Sequence, residues 1–356
     1  MNSKLAGVVA IATFALAACK KDDQETPSPA GADLHATILA DFSSSVAQPT
    51  YNDLKSSASR LHSNALLLAA APDDALLTQC KQDWRSCRSS WELSEAFLFG
   101  PVSSENIDPR IDTWPVNFTD LDSVLNSSAV FSASYIDNLD DALKGFHPIE
   151  YLLFGLNGNK TAAQFTVREL EFLTALTYNL ETLTTQLANS WNPALQGNYS
   201  QLFTAAGSGS TVYATKRQAY EEVVNAMIGI CDEVANGKIG EPFVAQDPTL
   251  EESPFAFNSI VDFTNNIKGV RNVYHGQFIA NGKGVEDLVR EGNLSLDGQV
   301  KQALNNAEAA LNAITVPFGQ AITQQPVQVQ NAINAINALK QVLENDLLPY
   351  VQLHTN

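Results

Sequence analysis

The residues best suited to do chemistry lie in Gly145-Phe146-His147-Pro148-Ile149-Glu150, which runs into the apolar Tyr151-Leu152-Leu153-Phe154-Gly155. A histidine and a carboxylate three residues apart fall on one side of a helical turn. Imidazole and carboxylate are compatible ligands for zinc, iron or manganese, so this spacing lets both reach one ion. The same residues also read as a helix start. Pro148 is then the first helical residue, His147 the cap, and Glu150 the third position, reaching back to free backbone N–H groups. Spacing alone leaves both readings open, because short motifs recur by chance.

Nearly every periodic segment that must position this pair reads as helix. Residues 32–46 and 51–70 carry apolar residues at three- and four-residue spacing, with Pro49 between them. Pro72-Asp73-Asp74 opens a helix with Leu76, Leu77, Cys80, Trp84, Cys87, Trp91 and Phe97 on related faces, stopped by Phe99-Gly100-Pro101. Residues 101–130 read as irregular, and a loop that long inside a helical domain points to function. Further helices are expected over 135–143, 161–190, 199–206, 213–235, 259–279, 296–314 and 327–347. Asn236-Gly237 ends one of them, and 239–254 is a second irregular run. Strand signals are close to absent. The chain is expected to be all-α, with two helical bundles: an N-terminal domain over 32–207 carrying the motif and a C-terminal one over 208–356.

The chain of 356 residues opens with a processing signal. Lys4 is its positive region and residues 6–16 are its apolar stretch, too short to span a membrane permanently. Leu16-Ala17-Ala18-Cys19 looks like a bacterial lipobox, so residues 1–18 are expected to be removed and Cys19 lipidated. Residues 19–31 then form a flexible tether, beginning Lys20-Lys21-Asp22-Asp23, which resembles the export signals of surface-exposed outer-membrane lipoproteins. The expected location is the cell envelope, with membrane contact through the lipid alone. With 21 basic against 39 acidic residues the net charge is −18, which repels a phosphate backbone and argues against nucleic acid as a partner. Cys80 and Cys87, seven apart on one helix, are ~10 Å apart, beyond disulfide reach. With Cys231 they read as buried small apolar residues.

Three separated stretches set polar residues among aromatics: Trp91 to Pro115, the Gly145 stretch, and Glu252 to Gly276. Together they resemble the imelysin family, also called M75 peptidase-like. Its Gly-x-His-x-x-Glu is met by Gly145, His147 and Glu150. Its Glu-Ala-Phe-x-Phe-Gly-Pro is met by Glu95 to Pro101, and its Ile-Asp-x-Trp-Pro by Ile111 to Pro115. Asn265, Asn266 and Asn272 to Gly276 match its remaining elements, in the expected order over nearly the whole mature chain. The resemblance implies two helical domains with the motif in a cleft near their interface, an association with iron uptake, and a metallopeptidase label.

A zinc peptidase needs three protein ligands, an open position for water and a general base. Tyr151 stands where His-Glu-x-x-His would place a second histidine, and His275, the best placed of the others, occupies a variable position of its segment. A reversible binder asks for less: oxygen ligands and one imidazole suit iron, with zinc as the other metal to consider. Extra carboxylates are available from Glu92, Glu95, Asp112 and Asp262, with Glu95 and Asp112 preferred because they sit in matched segments. Glu95 reads equally as a cap or as an ion-pair partner of Arg110. Arg110, Trp114, Asn265, Asn266 and Tyr274 are expected around the cleft, the asparagines and Tyr274 fixing hydrogen bonds behind the ligands. The expected activity is binding of iron, free or complexed, through His147 and Glu150, and transfer to other envelope uptake components. The alternatives are a metallopeptidase using the same pair, and a module whose cleft holds peptide or glycan without metal.

Overall fold

Apolar residues every third or fourth position do form helices, and their buried faces build the framework. The computed structural model describes residues 33–355, so the leader, Cys19 and the tether lie outside the described residues. The helices that build the framework and the site are α1 (Leu34–Asp41), α2 (Gln48–Ala70), α3 (Asp74–Ser94), α4 (Ile107–Asp112), α5 (Phe146–Phe154), α6 (Val167–Ser190), α7 (Lys216–Asp232), α8 (Ser259–His275), α9 (Leu294–Asn312) and α10 (Pro326–Val342), with further short helices between them. Among the described residues there is no β-strand, only an isolated bridge between Gln277 and Asn281, and no helix is long and apolar enough to cross a membrane. The all-α expectation holds.

Helix starts are set by side chains that take up free backbone donors. The Asp73 carboxylate accepts from the N–H groups of Ala75 and Leu76 at the head of α3. Thr166 with Glu169, and Thr215 with Gln218, form reciprocal caps on α6 and α7. α2 buries Tyr51, Leu54, Ala58, Leu61, Ala65 and Leu68 along one stripe and packs against α3 and α6. In the second half of the chain, α8, α9, α7 and α10 pack on one another. α3 and α8, from either side of the expected boundary at residue 207, lie side by side.

Three departures from the sequence reading have a common cause. Pro49 does not break the first helix: α1 continues through a π-helical stretch, Phe42–Ala47, into α2, with the proline in the first turn of α2. The wider π turn accommodates a ring and a missing donor that would disrupt regular α-helix. A second π stretch, Leu343–Leu347, precedes Pro349 in the same way. Asn236-Gly237 does not end the helix after α7 either, because a third π stretch, Glu233–Lys238, carries the chain through it. Residues 101–130 are not wholly irregular; they contain α4 and two further short helices, Pro101–Ser104 and Phe118–Leu125. Helices over Val285–Gly292 and Phe318–Gln324 were not anticipated.

Two glycines set the distances that matter. A Cβ on Gly269 of α8 would stand 2.4 Å from the Leu93 carbonyl oxygen of α3, so only glycine lets the two helices approach this closely. Gly145 has φ +82°, and a Cβ there would lie 2.1 Å from the Ile111 carbonyl oxygen, so α5 starts pressed against the end of α4. Gly269→Ala is expected to destabilise the chain by about 1–3 kcal/mol through overpacking. Gly145→Ala should cost at least as much, since it adds left-handed strain to the clash. Urea unfolding followed by circular dichroism measures both, and an unchanged midpoint would refute the close approach.

Candidate functional site

The two close approaches converge on Arg88. α3 carries Arg88 and, one turn later, Glu92 on the same face, with Glu95 just beyond the helix end. α4 ends at Asp112 and α5 supplies His147 and Glu150. The π stretch after α7 contributes Lys238, the segment before α8 contributes Glu252, and α8 itself Asp262 and Asn266.

Arg88 is fully buried, as are His147 and Glu150. Its guanidinium pairs with Glu92 Oε1 at 2.6 Å, Glu252 Oε1 at 2.5 Å and Asp112 Oδ1, and its Nε lies 4.0 Å from Asp262 Oδ1. Phe146 lies beneath it, 5.1 Å from ring centre to guanidinium. The Asp112 Oδ2 atom accepts from Trp91 Nε1 at 2.7 Å, while Oδ1 faces His147 Nε2 at 3.0 Å. On the other side of the imidazole, Nδ1 faces Glu150 Oε2 at 3.6 Å. Glu150 Oε1 accepts the Ala256 N–H at 2.7 Å. Both ring nitrogens of His147 are buried and each faces a carboxylate off the line of a regular hydrogen bond. Trp114 covers the imidazole, with ring centres 4.9 Å apart.

The cluster holds more acid than base. Arg88 and Lys238 between them face Glu92, Glu95, Asp112, Glu233, Glu252 and Asp262. Burial opposes charge on every member, and what happens next depends on the neighbours. For Asp112, Arg88 and His147 overcome burial and hold the carboxyl well below its usual range. Arg88 and Lys238 likewise keep Glu92 low. Burial and the Glu92 charge push Glu95 and Asp262 well up. Burial also works against charge on His147, yet Asp112 and Glu150 raise it to about 9, so it is an imidazolium at neutral pH.

A cavity of about 330 Å³ opens against this cluster, lined by Glu95, Asp108, Asp112, Trp114, Glu233, Lys238 and Glu252 among others. His147 and Glu150 stand one layer behind its wall. Asp112, His147 and Glu252 can each offer one donor atom, all within 4.8 Å of one another, and so can Glu92, Glu95 and Asp112. The donor chemistry and the acid excess fit a hard or borderline cation such as iron, manganese or zinc, which would displace the proton that His147 holds against Asp112. Glu150 is absent from both sets. It faces the Nδ1 side of the ring, the position from which a carboxylate orients a ligating imidazole.

The sequence reading of the motif as a cap is corrected. α5 begins at Phe146 with Gly145 as its cap, and neither His147 nor Glu150 caps it, because the backbone turn at Gly145 sets the start two residues before Pro148. Asn266 joins the site: its Nδ2 donates to Glu92 Oε2 and Glu95 Oε2, each at 2.6 Å. Asn265 instead donates to Ser89 Oγ at 3.1 Å. Tyr274 donates to Asp297 at 3.1 Å, in a separate polar group on α9. Arg110 pairs with Asp137, and the partner of Glu95 is Lys238 at 2.8 Å, so the Arg110–Glu95 pairing does not form. Arg88, Lys238 and Glu252 were missed as site residues. The signal for Arg88 was an arginine on an apolar, tryptophan-bearing face four residues before Glu92. Lys238 gave none, being hidden behind an apparent stop at Asn236-Gly237. Cys80, Cys87 and Cys231 are buried free thiols, as expected.

Comparison with known proteins bears on the family and the fold. The sequence model of the imelysin family matches residues 47–345. Iron-regulated protein A of Synechococcus elongatus is 32% identical over 317 residues, covering 87% of this chain and 85% of that one. Among solved structures, a protein of Parabacteroides distasonis assigned as an iron-regulated protein A precursor superposes with a TM-score of 0.81 at 24% identity, covering 93% of this chain and 97% of that one. An imelysin-like protein of Psychrobacter arcticum gives 0.72 at 14% identity, covering 90% and 96%. At these identities the two structures support the fold alone.

Removing Arg88 leaves several carboxylates buried without their counter-charge. Arg88→Ala is expected to cost about 3–5 kcal/mol at neutral pH. Asp112, held low by Arg88, contributes stability in the wild type above its unfolded pKa, and that contribution is lost only as pH falls through its depressed folded value. In the variant this contribution is missing, so the deficit should hold from neutral pH down to about 4 and shrink only as pH falls further. Urea midpoints of both proteins across that range test this, and a deficit independent of pH would refute it.

Proposed function

The chain belongs to the imelysin family, and from that premise we propose that it is a lipid-anchored cell-envelope protein that binds iron for uptake at the Asp112–His147–Glu252 cluster. The observation that carries the proposal is the donor set itself: a buried imidazole whose Nε2 faces Asp112 Oδ1 at 3.0 Å, with Glu252 beside them, in a cluster with more acid than base. A relative is named for its regulation by iron, and imidazole with carboxylate oxygens is a donor set that iron accepts.

In this reading the bound metal supplies a positive charge that the carboxylates lack. The residues divide the remaining tasks. Asp112, fixed by Trp91 and Arg88, and Glu252 present oxygen donors to the ion. His147 presents Nε2, exchanging its proton for the metal. Glu150, fixed in turn by the Ala256 N–H, holds the ring in orientation through Nδ1. Trp114 covers the imidazole and restricts water. The cavity beside the cluster, at about 330 Å³, is far larger than a bare ion. A hydrated ion or a small complex therefore fits as the form delivered. Nothing in this set is assigned as a general base for peptide hydrolysis, so binding and release are favoured over turnover.

Metal content and affinity of the protein lacking residues 1–25, purified without chelator or affinity-tag metal, test the proposal. Stoichiometric iron or zinc is expected. Asp112→Asn and His147→Ala should each weaken binding by at least tenfold with helical circular dichroism retained, and Glu150→Gln should weaken it less. Equal, weak binding by wild type and variants would remove the metal reading and favour a cleft for peptide or glycan. Proteolysis abolished by chelator and restored by metal would favour the peptidase. For the anchor, Cys19→Ala should move the protein from the membrane fraction to the soluble one, and an unchanged distribution would refute lipidation at that residue.

A further inference from the structure

The cavity wall contains a residue that a cation site has no evident need for. Lys238 Nζ stands 2.8 Å from Glu95 Oε2, 3.3 Å from Glu252 Oε1, 3.6 Å from Glu92 Oε2 and 3.8 Å from Glu233 Oε1. The ammonium is thus surrounded by carboxylates from separate elements, where a bound cation would sit. Arg88 is its counterpart on the inner side, and the two share Glu252 Oε1.

The two cations differ in how firmly they are held. Arg88 is sealed within α3 by a planar fork of ion pairs and by Phe146 beneath it, and cannot leave without unpacking the core. Lys238 is carried on a flexible four-carbon stem, follows Gly237 in a π-helical stretch, and borders the cavity. Glu252 belongs at once to the Lys238 cluster and to the donor set with Asp112 and His147. A metal ion ligated by Glu252 would lie within a few ångströms of the ammonium, where like charges in a poorly solvated site repel one another strongly.

We infer that Lys238 is a tethered counter-ion that competes with metal: its ammonium neutralises Glu252, Glu95 and Glu92 when no metal is bound, and swings into the cavity when a metal ion takes its place. This rests on the metal-binding reading above and adds a device for release. An internal competitor lowers affinity, keeps the carboxylates neutralised after the metal leaves, and makes binding reversible without unfolding the cluster. Exchange, rather than tight storage, is what a cargo-carrying site requires.

Amine acetylation of the purified protein, read by mass spectrometry with and without iron(II) under nitrogen, tests the inference, with iron content measured on the same samples. Lys283, which is exposed and far from the cluster in sequence, serves as the internal reference. With iron bound in an Asp112-dependent manner, Lys238 is expected to label at least tenfold faster relative to Lys283 than without iron. Bound iron with unchanged Lys238 labelling overturns the inference and leaves the metal site standing. Failure of the wild type to bind iron overturns the metal-binding reading and the inference with it. In parallel, Lys238→Met should bind iron(II) at least tenfold more tightly than wild type. Equal or weaker affinity in a folded variant counts against the competitor role. The labelling needs no variant, so it decides even where Lys238→Met fails to fold.

Discussion

The fully buried guanidinium of Arg88 is the constraint on which the rest of the site depends. An arginine cannot shed its proton inside a protein, so the chain must bring acids to it from wherever they lie. Here they come from its own helix, from the end of α4, from the segment before α8 and from α8. A buried ion cluster of this kind contributes little net stability compared with a well-packed apolar core, because desolvation consumes most of the Coulomb energy. Its presence therefore points to what the cluster does. More carboxylates than fixed cations, with protons and Lys238 making up the balance, is an arrangement that can exchange one positive charge for another.

The framework serves that cluster through backbone contacts as much as through side chains. Gly269 brings α8 onto α3, so that Asn266 can bond Glu92 and Glu95 and Asp262 can approach Arg88. Gly145 brings the start of α5 onto the end of α4, placing His147 beside Asp112. The π stretch that follows α7 extends the helix just far enough to carry Lys238 to the cavity. In each case the local geometry is one that an ordinary α-helix or an ordinary side chain would not permit. The glycine of Gly-x-His-x-x-Glu is as much a part of the site as the histidine.

Family membership and geometry contribute different things. The family match and the relative named for regulation by iron direct attention to a metal, but they do not divide roles among residues. The geometry does: it separates Glu150, which supports the far side of the imidazole, from Asp112 and Glu252, which share the near side with the cavity. It also removes Arg110 and Tyr274 from the cluster, since each has its own acidic partner elsewhere.

The sequence by itself determined the class of fold, because helical periodicity and capping residues are local and their signals survive in one dimension. It also determined the family, through short polar motifs spread over the chain, and named His147, Glu150, Glu95, Asp112, Trp114 and Asn266 as residues to watch. What it could not determine were the partners. Whether Glu95 meets Arg110 or Lys238 depends on which helices pack, and residues 143 positions apart in the chain carry no mark of their contact. The extension through Asn236-Gly237 was equally invisible, since that dipeptide is a turn signal in one dimension. Arg88 was hidden for a different reason: an arginine on a helix face is ordinarily solvated, and only the closing of α8, α4 and α5 around it turns that residue into the buried centre of the site.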